Sequence, residues 1–255
     1  DEALFRGTAV SAQGRPQASM GIAVGDVDGN GRIDLLLTHL EGENNSLYLG
    51  IDKKGFRESS ARMGLASPSL GFTGFGTAFL DIENDGDLDL VVANGRVKRV
   101  TRRDVDRPGP DVPEFWRVYA EANHVYLNDG EGRFRTYRCS DDPFSSAVEV
   151  SRGLATGDID NDGDLDLVVT NTAGPARLYR NESPGTGHWL IVRAILPDRG
   201  GRIALGARVT LVGKQRVWTR LIQSATSYLS ASDSRAHFGL GTIDQLQRIE
   251  VDWPD

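Results

Sequence analysis

Three stretches of this 255-residue chain spell one nine-residue pattern, D-x-[DE]-x-[DN]-G-x-[IL]-D. They are Asp26-Val27-Asp28-Gly29-Asn30-Gly31-Arg32-Ile33-Asp34, Asp81-Ile82-Glu83-Asn84-Asp85-Gly86-Asp87-Leu88-Asp89 and Asp158-Ile159-Asp160-Asn161-Asp162-Gly163-Asp164-Leu165-Asp166. Each is preceded by a short run of small and apolar residues and followed by an apolar one: Leu35-Leu36-Leu37, Leu90-Val91-Val92 and Leu167-Val168-Val169. A Tyr-centred element comes next, at Leu47-Tyr48-Leu49, Val125-Tyr126-Leu127 and Leu178-Tyr179-Arg180. After the first two stands a Gly-Phe type strand start, Gly55-Phe56 and Gly132-Arg133-Phe134. Short apolar runs bounded by Gly, Asn and Asp read as β-strands, and no stretch keeps a helical period. Each repeat is therefore a strand, an acidic loop, a strand, a turn and one or two more strands. That is the pattern of a propeller blade, and the fold class is all-β.

The spacing locates an insertion. From the first loop Asp to the shared Tyr is 22 residues in the first repeat, 21 in the third and 45 in the second. The additional residues, about 96–122, hold Arg96, Lys98, Arg99, Arg102 and Arg103, then Pro108-Gly109-Pro110 and Phe115-Trp116. Two readings stand for it: a solvated surface loop, or a loop that binds a protein or glycan partner through a basic patch and an aromatic anchor. Nucleic acid is disfavoured, because the patch is short and the chain is acidic overall.

The loops hold 13 of the chain's 36 acidic residues, leaving 23 against 29 lysines and arginines. Clustered carboxylates repel one another unless a cation lies among them. Three divalent ions would bring the formal net charge of −7 to about −1. In a tight turn, side chains at loop positions 1, 3, 5 and 9 converge on one point, and Gly31, Gly86 and Gly163 stand at position 6, where the turn needs a permissive residue. The expected ligands are Asp26, Asp28, Asn30 and Asp34; Asp81, Glu83, Asp85 and Asp89; Asp158, Asp160, Asp162 and Asp166. The position-7 carbonyls of Arg32, Asp87 and Asp164 add an oxygen to each set. All-oxygen coordination suits Ca²⁺, and soft metals lack Cys or His at the loops. The pattern opens like an EF-hand loop, but Leu37, Val92 and Val169 replace the bidentate Glu at position 12, and a strand follows instead of a helix. The expectation is about three structural calcium ions in β-hairpin loops.

From His188 the repeat stops. Strands are expected at Trp189–Ala194, Gly206–Leu211, Gln215–Ile222, Ser227–Leu229, His237–Leu240 and Ile249–Trp253. The expected boundaries are 1–183 for the repeats and 188–255 for a small β unit, joined by the turn-rich Glu182–Gly187. Cys139, the single cysteine, excludes an internal disulfide and reads as an inert thiol. His39, His124, His188 and His237 are too scattered for a zinc site; His124 and His237 read as hydrogen-bonded structural residues. Trp116, Trp189, Trp218 and Trp253 read as core or edge packing. No apolar run reaches the roughly 18 residues of a membrane-spanning helix.

The acidic repeats resemble the FG-GAP/VCBS repeats of β-propellers, including integrin α-subunit heads: Phe75-Gly76 precedes the second loop, while Met20-Gly21 and Arg152-Gly153 keep only the glycine. The tail resembles an ASPIC/UnbV domain at His188-Trp189-Leu190, Gly206-Ala207-Arg208-Val209, Ser227-Tyr228-Leu229-Ser230, His237-Phe238-Gly239-Leu240-Gly241 and Val251-Asp252-Trp253-Pro254. The pairing is that of the cartilage acidic protein-like family. It implies a secreted, cell-surface or periplasmic calcium-binding protein, with propeller blades followed by a β-sandwich-like domain. Three repeats do not close a propeller, so further blades are expected from a preceding region or another chain. Residues 1–20 read as the remnant of a preceding blade.

Three functions stay open: a binding, scaffold or adhesion-type protein, an accessory subunit of a larger envelope complex, and a hydrolase, lyase or cyclase using a propeller face. No catalytic residue is assigned, since no nucleophile–base pair stands out and carboxylates bound to calcium are poor bases.

Overall fold

The computed structural model describes residues 2–52, 55–99, 107–183 and 187–254. Each acidic loop joins the first two strands of an antiparallel sheet. The first sheet runs β1 (Ile22–Gly25), β2 (Asp34–Leu37), β3 (Ser46–Asp52) and β4 (Gly55–Glu58), in that order. The second follows the same meander with β5 (Gly74–Leu80) and β6 (Asp89–Asn94). It skips the short β7 (Glu121–Ala122) and continues through β8 (His124–Asn128) and β9 (Phe134–Tyr137). Strand β7 pairs instead with β10 (Val148–Glu149). The third sheet has β11 (Ser151–Gly157), β12 (Asp166–Asn171) and β13 (Arg177–Tyr179) and stops there.

The sheets stack face to face. Ala23, Leu36, Leu47 and Leu49 of the first meet Leu90, Val92, Tyr126 and Phe134 of the second in one buried cluster. The opposite face of the second sheet gives Ala78, Leu80, Val91 and Val125 to a cluster with Leu154, Leu167 and Val169 of the third. Strand β6 is buried at every position because it lies between neighbours on both sides. Full burial of a Leu or Tyr contributes roughly 1.5–3 kcal/mol each, so these two seams hold the blades together. Among the described residues the far face of the third sheet has no such cover: Val168 is 38% and Leu178 55% exposed.

The C-terminal strands are β14 (His188–Val192), β15 (Ile195–Leu196), β16 (Arg202–Ile203), β17 (Arg208–Val212), β18 (Val217–Leu221), β19 (Ala236–Gly241) and β20 (Arg248–Asp252). β14 pairs with β19, β15 with β16, and β17 lies between β18 and β20. They enclose Val209, Leu211, Trp218, Ile222 and Phe238 in a core of their own.

Two expected features differ. Ser227–Leu229 is not a strand: Ser227 (φ 71) and Leu229 (φ 47) take left-handed backbone conformations. Residues 224–235 instead cross the inner strands of all three blades. Ser227 N–H donates to the Ile22 carbonyl at 2.7 Å, Thr77 N–H to Ser227 Oγ at 3.0 Å, and Asp233 N–H to the Thr156 carbonyl at 2.9 Å. The segment thus fastens β1, β5 and β11 along the inner side of the array. Residues 2–20 hold a short helix, Ala3–Arg6, but no strand. They lie against the first sheet, where Tyr48 Oη donates to the Val10 carbonyl at 3.1 Å.

Candidate metal centre

The three loops share one hydrogen-bond plan. The position-1 carboxylate accepts from the amides at positions 5 and 6: Asp26 from Asn30 (3.0 Å) and Gly31 (2.8 Å), Asp81 from Asp85 (3.0 Å) and Gly86 (2.7 Å), Asp158 from Asp162 and Gly163 (both 3.2 Å). The position-9 carboxylate accepts from the amide at position 2 and from the third strand region of its blade. Asp34 takes Val27 and Gly50, Asp89 takes Ile82 and Asn128, and Asp166 takes Ile159 and Asn181. Position 5 accepts from the position-7 amide in each loop. The glycines at position 6 have φ of 77°, 99° and 96°, and position 4 is also left-handed in all three, at Gly29, Asn84 and Asn161. Gly and Asn adopt that region readily, so the curl of the loop is written locally.

Positions 1 and 9 are buried in every loop, while the position-5 residues Asn30, Asp85 and Asp162 are exposed. Burial raises the Asp26 carboxyl, carries Asp34 and Asp81 up to about 7 and Asp89 up to about 9. Neighbouring carboxylates push the same way: Asp28 on Asp26 and Asp34, Asp85 on Asp81, Glu83 on Asp89. A hard divalent cation offsets both effects, and the donors are all oxygen. The residues fit such an ion.

Asp26, Asp28 and Asp34 bring oxygens within 4.8 Å of one another, as do Asp158, Asp160 and Asp162. Among the described residues the second loop does not form such a group. Glu83 is hydrogen-bonded to Asp89, and Arg216 Nη2 contacts Asp87 and the Gly86 carbonyl. Of the position-7 residues, Arg32 projects into solvent, Asp87 faces Arg216, and Asp164 accepts from Asn84 Nδ2 at 2.6 Å.

Sequence reasoning missed that the C-terminal strands are built onto these loops. A Cβ on Gly86 would fall 2.6 Å from Trp218 Nε1. Arg235 Nη1 donates to Asn161 Oδ1 at 3.0 Å and Nη2 to the Asp158 carbonyl at 3.1 Å. Asn84 reaches Gly241 and Gly163. Arg220 is half-buried with its Nε shielded from solvent; desolvation pulls it down to about 10, against the pull of Asp81 and Asp26. The one available signal was the excess of bases outside the loops. The expected packing role holds for Trp218, which is 2% exposed, whereas Trp253 is 53% exposed.

His124 and His237 are hydrogen-bonded as expected. Arg138 Nη2, which only donates, faces His124 Nε2 at 3.5 Å, so Nδ1 carries the proton toward Tyr126 Oη at 2.8 Å. His237 Nε2 lies 2.8 Å from the Gly163 carbonyl. Cys139 is half-buried. In the insertion, Arg96 belongs to no exposed patch: it lies 2.9 Å from the buried Glu121. Phe115, 66% exposed, meets Trp116 edge to face on the short helix Glu114–Tyr119. Arg102 and Arg103 lie outside the described residues. Among the described residues no helix is long and apolar enough to cross a membrane.

Stacked antiparallel meanders of four, four and three strands, each with a D-x-[DE]-x-[DN]-G loop after its first strand, define a protein built of acidic-loop blades. The FG-GAP-like repeat profile matches residues 26–92, 113–169 and 158–209, more than half of the chain, and the chain belongs to that family. The ASPIC and UnbV profile matches residues 197–255. Curated relatives include cartilage acidic protein 1 of Mus musculus, 27% identical over 93% of this chain and 42% of that protein. Cartilage acidic protein 1 of Homo sapiens is 28% identical over 94% of this chain and 33% of that protein. The chain thus spans well under half the length of the relatives it matches.

Proposed function

We propose that this chain is a calcium-stabilised binding or scaffold module that works outside the cytoplasm, with the metal structural rather than catalytic. The observation that carries the reading is the repeated loop network. Three times, two buried carboxylates organise the backbone, and in the first and third loops a further carboxylate joins the group. In this reading the ligands are the side chains at positions 1, 3, 5 and 9 and the carbonyls of Arg32, Asp87 and Asp164. Calcium would supply the counter-charge that lets the buried carboxyls stay ionised.

The relatives' name associates them with cartilage, which supports an extracellular setting. The repeats at 1–183 form the blade part and 188–255 a β-sandwich-like part docked on its loops. The uncovered third sheet supports further blades from elsewhere in a longer protein or from another chain. Metal content and thermal unfolding, measured with and without EDTA on one sample, test the metal reading. Bound calcium and a large fall in melting temperature on chelation are expected. A calcium-free protein whose melting ignores EDTA would sink the idea.

A further inference from the structure

The C-terminal unit holds the third acidic loop from outside. Arg235 Nη1 donates to Asn161 Oδ1 at 3.0 Å and Nη2 to the Asp158 carbonyl at 3.1 Å. His237 Nε2 lies 2.8 Å from the Gly163 carbonyl and donates to it, because a carbonyl only accepts. The Trp189 indole covers the same glycine and leaves no room for a Cβ. Asn84 Nδ2 adds a bond to Asp164 Oδ1 at 2.6 Å, and the Asn84 carbonyl is fixed in turn by Gly241 N–H at 2.8 Å.

None of the gripped groups is an expected metal ligand. The contacts take the carbonyls at loop positions 1 and 6 and the side chains at positions 4 and 7. The ion is left the side chains at positions 1, 3, 5 and 9 and the carbonyl at position 7. Charge does not oppose it either: Arg235 Nε lies 2.6 Å from Asp233 Oδ2, so its donors reach the loop with their charge already offset. The first loop lacks this grip. A Cβ on Gly29 or Gly31 would meet nothing within 4 Å, and Gln223 reaches only the Val24 carbonyl, ahead of the loop. Yet both loops crowd three carboxylates together. A held backbone keeps such a group at ion-binding spacing before any ion arrives, which removes part of the ordering cost of binding.

We propose that Arg235, His237 and Trp189 are positioning residues of the third loop. They hold its backbone in the curl that an ion needs. Docking of the C-terminal unit and calcium uptake at Asp158, Asp160 and Asp162 therefore reinforce each other, while the first loop binds independently of that unit. The proposal rests on the calcium reading and adds which residues outside the loop set its affinity. Coupling of this kind is reciprocal, so it can be read from either side.

Asp28→Ala removes the first loop from a calcium titration and Asp160→Ala removes the third, both in the full chain. In the Asp28→Ala protein, adding Arg235→Ala is expected to weaken the remaining tight site about tenfold, within the usual range of coupling between sites. In the Asp160→Ala protein the same change is expected to leave calcium affinity within about twofold. Trp189→Leu, at a residue 42% exposed, repeats the test through a different contact. From the other side, calcium is expected to slow hydrogen exchange at the Asp233 amide, which donates to the Thr156 carbonyl, in the parent but not in Asp160→Ala. An equal loss of affinity at the first loop would mark general destabilisation and overturn the proposal. Calcium uptake at the third loop that ignores both Arg235→Ala and Trp189→Leu refutes the proposal alone, whereas a parent that takes up no calcium sinks the metal reading and the proposal with it.

Discussion

The indole of Trp189 lies over Gly163 so closely that a Cβ on that glycine would come within 2.0 Å of Trp189 Cε2. The third acidic loop is therefore both a turn and the floor on which a C-terminal side chain rests. Gly31, at the same position of the first loop, has nothing within 4 Å. Both glycines have positive φ, so replacement by Ala strains both backbones, at about 1–2 kcal/mol. Gly163→Ala also displaces Trp189, and overpacking adds about 1–3 kcal/mol. We expect a larger drop in melting temperature for Gly163→Ala than for Gly31→Ala. Equal drops would show that the Trp189 contact contributes nothing.

The half-buried Arg220 donates to the Thr219 and Gly86 carbonyls and is attracted by Asp81 and Asp26 of the second and first loops. Losing the hydrogen bonds of such a charged group costs on the order of 1.5–3 kcal/mol. Arg220→Met is expected to lose that much in urea unfolding under EDTA and to recover part of it in calcium, which supplies the missing charge. A variant as stable as the parent in EDTA would show that Asp26 and Asp81 do not depend on Arg220.

The loops are not equivalent in geometry. The first and third bring three carboxylates together, whereas Glu83 and Asp87 of the second are engaged by Asp89 and Arg216. Calorimetric titration is expected to resolve two tighter calcium sites and a weaker third. Asp28→Ala and Asp160→Ala should each abolish one tight site, and Glu83→Ala neither. Three indistinguishable sites would contradict the inequality.

His124 makes stability depend on pH. Burial, aided by Arg138, pulls its pKa from 6.5 down to about 3. The unfolded chain thus takes up a proton that the folded chain refuses, so this contribution is complete above pH 6.5 and is lost as pH falls toward 3. The slope reaches about 1.4 kcal/mol per pH unit. Chemical denaturation between pH 4 and 7 should show a shallower acid loss for His124→Phe than for the parent. Parallel curves would mean that His124 titrates normally.

Much of the fold is written in short stretches. Short apolar runs such as Leu35-Leu36-Leu37, and the Gly and Asn of each loop that bound them, specify strands and turns through their own backbone preferences. That is why the repeat, the insertion and the all-β class were legible without coordinates, and why the buried positions 1 and 9 were found as a group. Ser227–Leu229 misled for the same reason: its apolar and aromatic residues read as a strand, while pairing with Ile22 and Thr77 bends it across the blades.

Local pattern alone determined which residues form blades and which oxygens crowd each loop, because those depend on neighbours a few positions away. Tertiary structure decided that Trp189, Trp218, Arg216, Arg220 and Arg235 meet the loops and that the third blade stops at β13. Those contacts join residues up to 130 or more positions apart, and a contact at that range leaves no periodic trace in the sequence. It arises when apolar seams and buried charges find the packing that satisfies them together.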